Sequence, residues 1–456
     1  MDKSLELISD YAVSLSYDDL PTSAVRAVKH KFIDSMGCAL GAYLWEPCKI
    51  ARRLCFPTES PLTARVIGSL VRTTPEMAAF ANSTMVRTLD FNDSYRVKGV
   101  AHVSDTTPAV LAMGEAVHAN GKDLVTGIAL AYEMGVCFVE KMLTKKEWEP
   151  CALAATFGSA LGAGKILGLT KEQLGNAASL ALVPNMNLAM RASFGKGTVG
   201  ELSMYKEVYA GMSARQGVFA ALMAGEGMTG PGEAIEGNFG LKVVTDTIQF
   251  EPFGGNGRQF AVERVPLKSF PVRDAIQLPV RTALHLREKV SSDEIKSVRV
   301  TTYASAYASS AADLELWAPK TRETADHSMA FCVAAALIDG DITPETFSRE
   351  RFRDSAVVDL ISRMRIEEDP EFSKQSPAKR NCRIEVKTHS GETRVVHRVF
   401  TAEELEKGWT DEQVEAKFLR LVRDILTPAQ ARASLALMWH LEDVDDAARI
   451  LDNFQV

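Results

Sequence analysis

The residues best equipped for chemistry are crowded into Thr88-Leu89-Asp90-Phe91-Asn92-Asp93-Ser94-Tyr95 and Ala101-His102-Val103-Ser104-Asp105-Thr106-Thr107-Pro108. Three carboxylates, an amide, a phenol, several hydroxyls and one imidazole lie there between two apolar, helix-like stretches. Ser104 or Asp105 would make a good N-cap, and Pro108 fits a first helical turn. Capping employs one or two such residues, not all of them, so the density points to a site on a helix–loop–helix junction. His102 titrates near neutral pH and can pass protons. Asp90 and Asp93 could orient His102 or Lys206, or act as the base themselves. Ser94 and Tyr95 stand as candidate substrate contacts.

Cations that could face a carboxylate are spread more widely. Gly195-Lys196-Gly197-Thr198-Val199-Gly200 reads as a flexible, cationic loop, and Lys206 follows it as a point charge suited to a carboxylate. Arg273 is a further candidate. Arg322 and His327 flank the start of an apolar helix near Ala325, where an ion pair between domains competes with a substrate role. Together these groups suit removal of a proton α to a carboxylate, with cations stabilising the developing charge and an acid protonating a leaving hydroxyl. There is no HExxH, no close His/Cys set and no CxxC, so no metal site and no cofactor are expected. A Mg²⁺ across Asp90, Asp93 and Asp105 is the alternative.

The 456 residues carry a net charge of −7, with 46% hydrophobic and 24% charged residues. That is an ordinary globular balance with ample core, and it argues against bulk nucleic-acid or acidic-membrane binding. An anionic substrate would need local cations instead. No apolar run reaches the length of a membrane span. The opening Met1–Leu5 lacks the pattern of a secretory leader, and seven scattered cysteines lie mostly in apolar patterns. A cytoplasmic, reduced protein is expected.

Amphipathic periodicity predicts helices over 4–16, 23–40, 74–89, 105–119, 122–142, about 153–167, 171–183 and 211–224. Met204-Tyr205-Lys206-Glu207-Val208-Tyr209 reads as the lead-in to the last of these. Small residues at Gly158, Gly162 and Gly164 read as close helix contact, because no strand precedes them as a nucleotide-binding fingerprint would require. Beyond residue 266 the character changes. Ile295–Tyr303 alternates as a strand, and Arg383–Thr388 and Thr393–Phe400 flank a Ser390-Gly391 turn. Helices are predicted at 272–287, 325–338 and around 354–364. The expected fold is mainly α: a large all-α domain of residues 1–265 and 401–456, with an inserted, smaller α+β domain at 266–400.

Leu89–Tyr95 with His102–Asp105 resembles the signature of the MmgE/PrpD family. Gly200-Glu201-Leu202-Ser203-Met204-Tyr205-Lys206, continuing to Ala214-Arg215-Gln216-Gly217, resembles the segment that supplies that family's active-site lysine. Gly227-Met228-Thr229-Gly230-Pro231 and Trp317-Ala318-Pro319-Lys320-Thr321-Arg322-Glu323-Thr324-Ala325-Asp326-His327-Ser328 resemble two further family segments. The last of these leans toward the methylcitrate dehydratase side of the family. The resemblance covers nearly the whole chain.

The resemblance implies a cofactor-free lyase that dehydrates a small di- or tricarboxylate such as 2-methylcitrate, and a homodimer built through the helical domain. His102 and Lys206 are then expected to face one cleft. Two family histidines are absent. Where the first is expected stands Trp148-Glu149-Pro150-Cys151-Ala152-Leu153, and Glu149 or Cys151 could replace it. Where the second is expected stands Lys268-Ser269-Phe270-Pro271-Val272-Arg273-Asp274-Ala275-Ile276-Gln277, with Arg273 or Gln277 as replacements. A glutamate can do acid/base work when its pKa is raised, whereas an arginine only binds anions. An epimerase, a decarboxylase, or a catalytically silent carboxylate-binding paralogue therefore remain alternatives.

Overall fold

Both apolar stretches flanking the signature loop are helical. Pro75–Thr88 carries proline in its first turn, and Thr107–Ala116 is entered through a 3₁₀ turn, Val103–Thr106, with His102 at the N-cap. The computed structural model describes residues 1–97, 100–141, 148, 150–186, 188, 200–245, 248–401, 404 and 407–456, and of Lys141 only the backbone. The chain divides into two compact units. The first comprises Met1–Ala189, Glu207–Leu267 and Gly408–Val456, and the second Met190–Lys206 and Lys268–Lys407. The protein is mainly α. Among the described residues, no helix is long and apolar enough to cross a membrane.

The first unit is built on helices Thr22–Gly41, Pro75–Thr88, Thr107–Ala116, Gly121–Lys141 and Pro150–Ile166, around a continuous apolar core. Helix Pro150–Ile166 is nearly all small residues because backbone approaches it from two sides. A Cβ added at Gly158 would lie 2.7 Å from the Ala131 carbonyl oxygen, and one at Gly217 would lie 2.5 Å from Ser159 Cβ. Interiors this dense leave no room for even one methyl group. The small residues thus serve helix packing, as their spacing suggests. All seven cysteines are buried.

Two differences from the sequence reading bear on the site. The helix expected to begin at residue 211 runs from Tyr205 to Gly225, so Lys206 sits in its first turn rather than in a lead-in. The signature loop also contains a two-residue antiparallel pairing, Tyr95–Arg96 with Val100–Ala101, too short to show alternation. It brings Ser94 and His102 to one end of a tight excursion.

In the second unit a four-stranded sheet has the order Met364–Glu368, Ile295–Thr302, Lys379–Thr388, Thr393–Thr401. The first pair is parallel and the others antiparallel. Register slips between Ile295 and Ser297, so Ile295 and Val298 are both buried although three residues apart. A bulge of this kind resets the alternation. Helices Gln277–Arg287 and Met329–Asp339 pack together, and Gln277–Arg287 covers the two C-terminal strands. The helix expected around 354–364 runs from Ser355 to Ser362, and the strand Met364–Glu368 follows it.

Candidate functional site

The loop begins where Asp90 takes a left-handed backbone, φ 48°. Aspartate tolerates this region better than most residues, and the turn reverses the chain directly after the helix. Arg87, one turn back, reaches Asp90 Oδ1 at 2.5 Å with both side chains buried. Phe91 then enters the core, and Asn92 and Asp93 meet the 3₁₀ turn. Asn92 Nδ2 donates to Ser104 Oγ and Asp105 Oδ1, each at 2.9 Å. Asp93 Oδ1 accepts from the Ser104 amide at 3.1 Å and its hydroxyl at 2.8 Å. Asp93 Oδ2 accepts from the Tyr132 hydroxyl at 2.6 Å, and Asp105 Oδ2 from the Tyr209 hydroxyl at 2.8 Å. Burial, and then the charge of Asp93, push the Tyr132 phenol well up, so it stays protonated and donates.

His102 is held through its backbone-facing nitrogen. Nδ1 lies 2.7 Å from the Asp93 carbonyl oxygen, and a carbonyl only accepts, so Nδ1 carries the hydrogen. When the ring is neutral its lone pair is then on Nε2, the tautomer of a proton acceptor. His102 is buried, with 6% of its surface exposed. Asp93 thus orients His102, as the sequence allows, but through its main chain, while its carboxylate ties down Ser104 and Tyr132. Asp90 Oδ1 accepts from Arg87, while Asp93 and Asp105 accept from donors of their own.

Ser94 is buried, and its hydroxyl has no hydrogen-bond partner among the described residues. Tyr95 is committed to structure: its hydroxyl donates to Glu140 Oε1 at 2.6 Å, and Arg264, paired with Glu140, approaches the same hydroxyl at 3.1 Å. Cys151 donates its thiol to the Val100 carbonyl. Glu149 and the 195–199 portion of the cationic loop lie outside the described residues.

The second unit holds Lys206, and the first holds His102. Lys206 Nζ meets Asp326 Oδ2 at 2.6 Å, both side chains fully buried. Arg322 reaches the same oxygen at 3.3 Å, and His327 Nδ1 lies 2.5 Å from Asp326 Oδ1. Burial alone would raise the Asp326 pKa, but Lys206, Arg322 and His327 together hold it below the usual carboxylate range. Burial, followed by the charge of Arg273, pushes His327 down to about 3. His327 is therefore neutral at physiological pH, and its Nδ1–H donates to an ionised Asp326. The Arg273 amide donates to the Asp326 carbonyl at 3.0 Å, which brings Arg273 to the same cluster. Arg322 pairs inside its own unit.

Gln277 is structural. Its Oε1 accepts from the Ser269 and Phe270 amides, and its Nε2 donates to the Phe270 and Val272 carbonyls, at 2.8–3.1 Å. All four of its hydrogen-bonding positions are used on one turn of backbone.

Sequence reasoning missed Lys31, Asp34 and Lys417. Lys417 Nζ donates to the Phe91 carbonyl at 2.7 Å, pairs with Asp34 at 2.6 Å, and lies 3.9 Å from the centre of the Phe91 ring. Lys31 donates to the Val265 carbonyl, and burial lowers its pKa to about 8 against the pull of Asp93 and Asp34. A signal was present. Lys417 lies on the apolar stripe of Val414, Phe418 and Leu421, where a solvated lysine has no place.

Comparison with known proteins extends the local geometry to the whole chain. Residues 6–251 match the MmgE/PrpD N-terminal domain and residues 270–443 the MmgE/PrpD C-terminal domain. A 2-methylcitrate dehydratase of Salmonella typhi is 27% identical over 395 residues, covering 82% of this chain and 79% of its own. A cis-aconitate decarboxylase of Aspergillus terreus is 22% identical over 480 residues, covering 98% and 94%. The human cis-aconitate decarboxylase is 23% identical over 459 residues, covering 95% and 91%. With both domain models matched in order, one on each side of residue 260, the chain belongs to the MmgE/PrpD family.

Proposed function

We propose that the protein is a cofactor-free hydro-lyase that removes water from a small di- or tricarboxylate of the 2-methylcitrate type. The observation that carries this reading is the hydrogen bond from His102 Nδ1 to the Asp93 carbonyl, which leaves Nε2 as the basic nitrogen. In the proposed reaction His102 handles the proton, taking it from the carbon α to a carboxylate or delivering it to the departing hydroxyl. The buried Ser94 hydroxyl supplies a contact for a substrate oxygen. Lys206, Arg322 and Arg273, gathered around Asp326 and His327, supply positive potential for the substrate's carboxylates and for the charge that develops on one of them. Asp90 acts at a distance by pinning the turn through Arg87. Tyr95, bound to Glu140 and Arg264, is given a structural part.

Decarboxylation is the second reading, because cis-aconitate decarboxylases are among the relatives and cover nearly the whole chain. One assay panel separates the possibilities. Citrate, 2-methylcitrate and cis-aconitate are incubated in D₂O, and ultraviolet absorbance, CO₂ release and solvent deuterium uptake are followed. Dehydration produces an absorbing alkene without CO₂, decarboxylation releases CO₂, and epimerisation exchanges deuterium with no change in composition. His102→Gln should lower kcat on the active substrate by roughly 10²–10⁴. An unchanged kcat removes His102 from the chemistry, and inactivity across the panel favours a silent paralogue.

A further inference from the structure

Two separated segments of the second unit are stitched together residue by residue. The Glu201 carboxylate accepts from the Lys320 amide at 3.1 Å and from the Thr321 amide at 3.2 Å. The Thr321 hydroxyl lies 3.1 Å from both the Glu201 carboxylate and the Leu202 carbonyl and 2.9 Å from Thr324 Oγ1, and its one proton serves one of the three. The Leu202 amide donates to Thr324 Oγ1 at 2.8 Å, with Thr324 fully buried. Lys206 then meets Asp326 at 2.6 Å. Contacts at 201, 202 and 206 thus pair with 320–321, 324 and 326, in the same direction along both segments.

We infer that Glu201 and Thr324 are positioning residues, setting the register of the segment ahead of helix Tyr205–Gly225 so that the Lys206 ammonium lands on Asp326. The physical need is plain. Residues 201–204 lie in no helix or strand, so no ladder fixes their backbone. A slip of one residue would carry a buried ammonium away from the Asp326 carboxylate. Glu201 supplies what the ladder does not, with one carboxylate bridging two consecutive amides. Its own position at the surface lets it be replaced without opening the core, and Gly200 at φ 67° turns the chain into this register.

The test reads Lys206 directly, by native reductive methylation with formaldehyde and borohydride followed by peptide mass spectrometry. In the parent protein Lys206 should react at least roughly tenfold more slowly than Lys374, whose side chain is 71% exposed. In Glu201→Ala, and in Thr324→Val, that protection should fall while the helical circular dichroism is kept and thermal unfolding stays cooperative. Glu201→Gln retains an acceptor oxygen and should restore protection. Lys206 remaining protected in a folded Glu201→Ala variant would overturn the inference, as would rapid labelling in the parent. Should Thr324→Val fail to fold, the partly exposed Glu201 site still decides the question. The inference rests on the lyase reading only for its kinetic arm: there kcat/KM should fall by roughly tenfold to a hundredfold as Lys206 is misplaced. If Lys206→Met leaves turnover intact, the role given to Lys206 in that reaction fails and the labelling result still stands.

Discussion

Replacing Lys206 by methionine keeps the length of the side chain and removes its charge, which makes it the most informative single change in the second unit. At 2.6 Å, with both partners fully buried, the attraction to Asp326 is about 6 kcal/mol at an effective dielectric of about 20. Desolvating the two ions offsets much of this, but the single substitution does not recover the desolvation of the aspartate left behind. Asp326 still keeps Arg322 at 3.3 Å and the His327 N–H. The loss should therefore fall at the low end of the range for broken buried pairs, about 3 kcal/mol. Asp326→Asn takes the carboxylate from both Lys206 and Arg322 and should cost at least as much. The double variant removes the Lys206 charge together with its partner and should be no less stable than Asp326→Asn alone, a coupling of about 3 kcal/mol. Urea unfolding followed by Trp317 fluorescence measures this, because Trp317 is the only tryptophan in the second unit's sequence. A Lys206→Met cost below about 1 kcal/mol, or losses that simply add in the double variant, would refute the desolvated pair. As a proposed contact for a substrate carboxylate, Lys206 should also matter to catalysis. The geometry assigns it a folding cost as well, and the double variant separates the two effects.

Acid should destabilise the fold well above the carboxylate range. His327 is held neutral with a pKa near 3, below the ordinary histidine value, so its contribution is complete above about pH 6.5 and is lost as pH falls from there toward 3. Between pH 7 and pH 5.5 the loss from this residue should reach about 1 kcal/mol, and His327→Gln should flatten that part of the urea-midpoint profile. Asp326, also depressed, adds its own loss only at lower pH. Gln277→Leu should cost about 2–4 kcal/mol, since four backbone groups of the 269–272 turn lose their partners together. Thermal melts that show no shift for this variant would rule out the clamp.

Most helices were legible because their apolar residues recur at helical spacing. Gly158 and Gly162 were legible for a simpler reason: small residues at that interval suit helix contact. The strand Met364–Glu368 escaped notice because five residues after a helix offer too little alternation to tell its end from a new element. Asp93 could be named as a partner of His102, but not that it acts through its carbonyl, since every residue has one. Asp326 was quoted within a family motif yet given no role. Its importance arises from Lys206, 120 residues earlier in the chain, and no local pattern records that distance. Gln277 shows the converse. Side-chain chemistry alone made it a plausible stand-in for a missing imidazole, and only its four contacts reveal that it is occupied in holding a turn.

The buried lysines beneath the loop follow from its irregularity. A helix or strand satisfies its own carbonyls, but a segment that turns left-handed at Asp90 and sends Phe91 into the core has a carbonyl there with no ladder to meet it. Lys417, from a helix more than three hundred residues later, supplies the donor at Phe91. An ammonium buried for that purpose needs a counter-charge, and Asp34 provides it from helix Thr22–Gly41. Buried ion pairs of this kind add little net stability compared with well-packed apolar residues. Their worth here is geometric: the loop is held at the Phe91 carbonyl by Lys417, at the Asp90 side chain by Arg87, and at the Asp93 carbonyl by His102 itself. A histidine that must present one nitrogen in one orientation needs a main chain that cannot drift, and these three contacts constrain it from three separate side chains.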